Sequence, residues 1–170
     1  VALLRERRIA FAVVGAAALA VHGVSRATRD LDVLVTDPAC LAESTWTTLG
    51  GRGVTVTIRR GDADDPLAGV VRLTADGEAP VDLVVGRAGW QERVLARAVS
   101  SAVAGVDSPV ATSADLVLLK LYAAGPQDAW DIAQLLDAGD RPALVAAVEA
   151  ALPDLPDDAR RLWARVVESR

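Results

Sequence analysis

Cysteine, histidine, lysine, phenylalanine and tyrosine occur once each in this chain, and methionine not at all. One cysteine, Cys40, excludes a disulfide framework and a cysteine zinc site, and makes a cytosolic location the default expectation. One histidine, His22, stands before a glycine and reads as a helix-end residue rather than a base or a metal ligand. No apolar run is long enough to cross a membrane; the longest, Ile9 to Val21, has thirteen residues. The formal net charge of -5 leaves no overall electrostatic footprint for nucleic acid, although the arginines leave room for a local basic rim. With Val1 first and no methionine, the sequence does not define its natural start.

What is present is aliphatic. Hydrophobic residues make up 52% of 170 positions, mostly Ala, Val and Leu, enough for one domain with a substantial core and too many for disorder. Every basic residue except Lys120 is arginine. A GC-rich genome explains that bias simply. The surviving lysine then marks a position that wants a compact ammonium, which a guanidinium does not replace.

Arg5, Arg7 and Arg8 precede the apolar run, and Ala18-Leu19-Ala20 imitates a leader-peptidase site. Glu6 in the basic region, together with Gly15 and six alanines in the run, argues against a cleaved leader. The alternative is a short buried strand over Ile9–Val14, a turn at Gly15 and a helix over Ala16–Val21 that stops at His22-Gly23. Further strands are expected at Leu31–Val35, Val54–Ile58, Val70–Thr74 and Val81–Val85. Helices are expected from Asp37-Pro38 to Leu49 and over Gly89–Ser100. Ser113 is expected to cap a helix through Ala123, with others over Gln127–Asp137, Pro142–Leu152 and Asp157–Glu168. The expectation is an α/β (α+β) fold: a small mixed sheet flanked by helices over residues 1–100, and a helical part over 101–170 packed on it as one compact unit.

Asp30 and Asp32 lie two apart on a strand, so both point to one face, while Leu31, Val33 and Val35 take the other. Two unit charges at roughly 6 Å repel by about 3 kcal/mol at an effective dielectric of ~20. A divalent cation offsets this, and Mg²⁺ favours a few carboxylates plus water and phosphate oxygens. The plain alternative is a solvated strand face with Arg29 as counter-charge. Asp82, in the otherwise apolar "PVDLVVG", joins the pair if its strand lies alongside. Three convergent carboxylates suit two-metal phosphoryl transfer, with Asp82 helping to activate an acceptor hydroxyl. Gly15, between strand and helix, leaves free N–H groups for a phosphate, though glycine there also serves packing.

Other charged positions have simple readings. Lys120 lies among Leu116, Leu119 and Leu121 and can snorkel from a buried helix. Asp128 stands in a first helical turn, and Asp131 follows on the same face beside Ile132 and Leu135, where an ion pair with Lys120 is a purely structural option. Asp62, Asp64 and Asp65 form a solvated acidic loop.

Taken in order, "VVGAAALAVHGVSRATRDLDVLV", "VDLVV" and "SADLVLLKLYAAGPQDAWDIAQLL" resemble the motifs of polymerase-β-like nucleotidyltransferases over about residues 9–138. "HGVSRATRDLD" is similar to the minimal, AbiEii-type branch, which includes abortive-infection and toxin–antitoxin members. The resemblance implies that Asp30, Asp32 and Asp82 bind catalytic Mg²⁺ or Mn²⁺. It implies that Gly15 and the Ala16 amide hold the triphosphate of an NTP. Arg26 and Thr28 would contact phosphate or fix their loop, Lys120 would reach the phosphates, and Asp128 and Asp131 would orient Lys120 or the nucleotide. The implied activity moves an NMP to an acceptor hydroxyl on tRNA, a protein or a small molecule, with a cognate antitoxin as a possible partner and no membrane role. Ala16 stands where the family has Ser or Gly, and Gln127 where an Arg is common. These departures motivate the alternative, a catalytically degenerate binding module or toxin–antitoxin partner. A third reading is a secreted domain with a cleaved leader.

Overall fold

The computed structural model describes residues 1–168. Among these, seven strands form one mixed sheet in the order β3-β4-β5-β2-β1-β7-β6. The strands are β1 (Phe11–Val13), β2 (Leu31–Val35), β3 (Thr55–Arg60), β4 (Leu67–Thr74), β5 (Val81–Gly86), β6 (Val99–Val103) and β7 (Val106–Val110). The helices are α1 (Ala2–Glu6), α2 (Gly15–Val21), α3 (Thr47–Gly50), α4 (Gly89–Arg97), α5 (Ser113–Ala123), α6 (Asp128–Ala138), α7 (Arg141–Ala151) and α8 (Asp157–Glu168). No helix among the described residues is long and apolar enough to cross a membrane.

Pleat alternation divides the interior. Val33, Val35, Leu83 and Val85 join Leu4, Phe11, Cys40 and Trp46 in one core cluster. Leu34 and Val84, one position out of phase, join the larger cluster that Leu19, Leu116, Leu121, Ile132, Leu136 and Trp163 build from α2, α5, α6 and α8. Asp32 and Asp82 share the phase of Leu34 and Val84, so they sit at the rim of the larger core. The run that imitates a leader supplies β1, which lies between β2 and β7, with Ala12 and Val13 fully buried.

Two helical expectations are corrected. After Asp37, whose carboxylate accepts the Ala39 N–H at 2.8 Å, the chain makes 3₁₀ turns at Pro38–Leu41 and Glu43–Thr45 and only the short α3, not one helix to Leu49. Side chains take the carbonyls that a helix would use. The Thr45 hydroxyl donates to Ala39 O at 2.5 Å and the Trp46 indole to Cys40 O at 2.7 Å. Helix α4 stops at Arg97 instead of Ser100, and residues 99–110 form a hairpin where helix was expected. Its turn, Ala104-Gly105, has both φ values positive (50° and 78°). That is the primed geometry that matches strand twist, but alanine in place of Asn or Asp hid it. The cap of α5 is Thr112, whose hydroxyl accepts the Asp115 N–H at 3.2 Å, not Ser113.

Burial fixes the chemistry of the lone thiol. Cys40 has no exposed surface, and desolvation with nearby Asp37 pushes its pKa up to about 11. Native protein should therefore resist a water-soluble disulfide reagent at neutral pH and react with one thiol per chain once denatured. Fast reaction in the native state contradicts this burial.

Candidate active site

The site begins with a register. Strands β2 and β5 run parallel with Asp32 opposite Asp82, which sets their Cα atoms about 4.8 Å apart. Burial raises the Asp32 pKa above the ordinary carboxylate range, Asp30 and Asp82 raise it further, and Lys120 and Arg26 oppose them. One oxygen of Asp82 accepts from Arg72 Nη1 at 3.0 Å, across the β4–β5 pairing. The other, Oδ1, is buried without a hydrogen-bond partner. A buried carboxylate oxygen with nothing to accept from is costly unless a cation or a proton donor meets it.

Gly15 opens α2 with φ +63°, and a Cβ there would fall 2.0 Å from Asp32 Oδ2. The close approach that glycine permits is thus made by the Asp32 carboxylate. The Val14 N–H donates to Asp32 O at 2.9 Å, locking the turn to β2. Ala16 follows in the first turn, its side chain buried. Asp30 lies one residue before β2. Its carboxylate accepts the Thr28 hydroxyl at 2.8 Å, so Thr28 holds the loop.

The basic residues converge from the helical side. Asp131, with no exposed surface, accepts Arg26 at 2.8 Å and Lys120 at 2.5 Å on its Oδ2. Lys120 also reaches Asp128 Oδ1 at 2.9 Å, while Asp128 Oδ2 accepts the Gly125 N–H at 2.7 Å. The structural Lys120–Asp131 pair therefore exists, and it anchors the ammonium at the cleft rather than removing it. Gln127, the departure from the family motif, is exposed at the cap of α6.

Two cavities meet the aspartates. A cleft of about 310 Å³ is lined by Gly15, Asp32, Lys120 and Asp128 on its polar side, with Leu34, Val84, Leu116, Leu119 and Tyr122 on its apolar walls. Pro66 and Leu67 also line it, held by Tyr122 Oη donating to Pro66 O at 3.1 Å and by Arg87 Nη2 donating to Leu67 O at 2.7 Å. A groove of about 940 Å³ starts at Thr28 and Asp30 and runs along α2 and the β6–β7 hairpin.

Sequence reasoning missed Arg72, Gln91 and Tyr122. Arg72 shows up only through strand pairing. Gln91 carries a local signal, a glutamine three residues after the N-cap of α4. Outside the site, His22 ends α2, and its Nε2 donates to Ala111 O at 2.8 Å.

Among the described residues, no group of three or more His, Cys, Asp or Glu side chains is placed to hold a metal ion, so Asp30, Asp32 and Asp82 do not form a three-carboxylate site as they stand. What is present is a carboxylate pair with one orphaned buried oxygen, with Asp30 close enough to act on Asp32 through its charge. All-oxygen donors, few in number, fit Mg²⁺ or Mn²⁺, which complete their shells with water and phosphate.

The strained charge has a sign. A carboxyl whose pKa is raised by folding adds stability at low pH and loses that contribution as pH rises through the raised pKa. In chelator, Asp32→Asn should therefore melt above the parent at neutral pH, and the gap should close as the pH falls toward about 4. An Asn variant that melts lower at neutral pH contradicts the repulsion. Gly15→Ala should cost at least ~1–2 kcal/mol of stability, from the left-handed backbone alone, measured by denaturant unfolding.

No family model matches the sequence, and no curated protein matches it. Among solved structures, the chain resembles the lincosamide antibiotic adenylyltransferase LnuA, determined with lincomycin bound. The TM-score is 0.51 at 13% identity, over 81% of this chain and 92% of that one. It also resembles an antigenic nucleotidyltransferase-like protein from Paracoccidioides brasiliensis, with TM-score 0.51 at 16% identity, over 98% of this chain and 83% of that one. At these identities the likeness is one of architecture: the chain has a nucleotidyltransferase fold.

Proposed function

We propose that this protein is a divalent-cation-dependent nucleotidyltransferase that moves an NMP from an NTP to an acceptor hydroxyl and releases pyrophosphate. The observation that carries the reading is the Asp32–Asp82 pair, in register and with an unpartnered buried oxygen, where Asp32 lines one cleft together with Gly15 and Lys120. Asp32 and Asp82 would hold Mg²⁺ or Mn²⁺, with Asp30 adding charge. The ion supplies charge neutralisation at the transferring phosphate.

The chain's own groups do the rest. Lys120, immobilised by Asp128 and Asp131, meets the triphosphate with an ammonium already in place. The Gly15 and Ala16 amides would receive phosphate oxygens. The acceptor oxygen attacks the α-phosphorus as the bond to the bridging oxygen breaks, and its proton passes to the Asp82 carboxylate. The acceptor occupies the groove that starts at Asp30. Fold likeness to an antibiotic adenylyltransferase supports a small-molecule acceptor. The resemblance of "HGVSRATRDLD" to the AbiEii-type branch supports a toxin or phage-defence setting with a cognate antitoxin.

A second reading, a degenerate binding module, is favoured by one feature. The cations here are internally paired, Arg72 to Asp82 and Arg26 with Lys120 to Asp131. Incubation with Mg²⁺ and each α-labelled NTP in a cell extract decides between them. The enzyme should label an RNA, protein or small-molecule fraction. Asp32→Asn should reduce that labelling at least ~100-fold, the scale of losing electrostatic transition-state stabilisation. Labelling unchanged by Asp32→Asn with Asp82→Asn would falsify the enzymatic reading.

A further inference from the structure

The cleft has one uncommitted polar group deep in its wall. Gln91 has no exposed surface. Its Oε1 accepts two backbone N–H groups, from Arg87 and Ala88, each at 2.9 Å. Flipping the amide would press its NH₂ against those donors, so the orientation is forced. Its Nε2 is buried with no partner. The side chain lies over Gly86, where a Cβ would come within 2.5 Å of Oε1. Glycine at that position lets the amide pack there.

Resting on the nucleotidyltransferase reading above, we propose that Gln91 selects the nucleobase by donating from Nε2 to a ring carbonyl, O6 of guanine or O4 of uracil, a group that adenine lacks. The cleft lining combines Asp32, Lys120 and Asp128 with the aliphatic Leu34, Val84, Leu116 and Leu119. That mixture suits a polyanion joined to a flat heterocycle. A glutamine reads adenine by two contacts, accepting from N6 and donating to N7. Here the accepting half is taken by the Arg87 and Ala88 amides, so the two-contact reading of adenine is closed, and the remaining donor favours a carbonyl oxygen over a ring nitrogen. An orphaned dry donor costs free energy, which an incoming carbonyl oxygen relieves. Nε2 has no exposed surface, so the proposed contact requires a shift of the side chains that cover it.

The test measures binding of GTP, UTP, ATP and tripolyphosphate by calorimetry, with Mg²⁺, to the full chain. GTP or UTP should bind about tenfold tighter than ATP, the scale of one buried hydrogen bond. Gln91→Met, checked for folding by thermal melting, removes the donor without adding charge. It should lower GTP and UTP affinity to the level of ATP and leave tripolyphosphate unchanged. Gln91→Leu, checked in the same way, should do the same. Equal or tighter binding of ATP by the parent overturns the inference. So does a parallel loss of tripolyphosphate binding in both variants, which marks a structural role. Tripolyphosphate binding without base preference overturns this inference alone. No binding of any of the four overturns the function proposed above as well.

Discussion

Parallel pairing of β2 with β5 forces two carboxylates to lie side by side at the rim of a hydrophobic core. Backbone hydrogen bonds and the burial of Val33, Leu34, Leu83 and Val85 impose that register, and a one-residue slip would exchange the side chains that the two cores receive. The aspartates accept their placement because the rest of the two strands demands it. Much of the surrounding structure answers the resulting repulsion. Gly15 has no side chain because the Asp32 carboxylate occupies its place, Arg72 covers one oxygen of Asp82, and the positive charges of Lys120 and Arg26 partly offset that of the carboxylates.

The basic side is organised around Asp131. A fully buried carboxylate with two cations on a single oxygen joins the loop before β2 to α5 and α6. Removing one partner from such a set leaves a buried charge uncompensated, which costs more than the set contributes when whole. Its value here is positional. It fixes the ammonium of Lys120 relative to the aspartates, although the two groups come from segments some ninety residues apart in the chain.

Much of this was legible in local spacing. The Asp-x-Asp alternation, the glycine between strand and helix, and the Lys120, Asp128 and Asp131 positions on consecutive helices are short-range patterns with short-range causes. The β6–β7 hairpin was not legible. Its strands, VSSAV and VDSPV, mix serine, aspartate and proline with valine and carry little β signal, and its turn uses Ala104 at positive φ. Nor was the stretch after Asp37, where hydroxyl and indole side chains capture backbone carbonyls and replace a helix with turns. Arg72 was invisible because its partner is chosen by the β4–β5 register. At Gln91 the glutamine three residues after the N-cap was a local sign of the bond from the Ala88 N–H, whereas the second bond, from Arg87, depends on how the chain leaves β5.

The sequence by itself determined which residues carry charge, which strands are apolar on both sides of an aspartate, and where helices α2, α5 and α8 run, since each follows from periodicity and end signals within a few residues. Tertiary structure alone decided that Asp82 stands opposite Asp32, that Thr28 turns toward Asp30, and that one oxygen of Asp82 and the amide nitrogen of Gln91 are left without partners. Those outcomes depend on strand order and helix docking. These are long-range packing solutions, reached by burying the aliphatic side chains as a whole, and no local stretch of the chain encodes them.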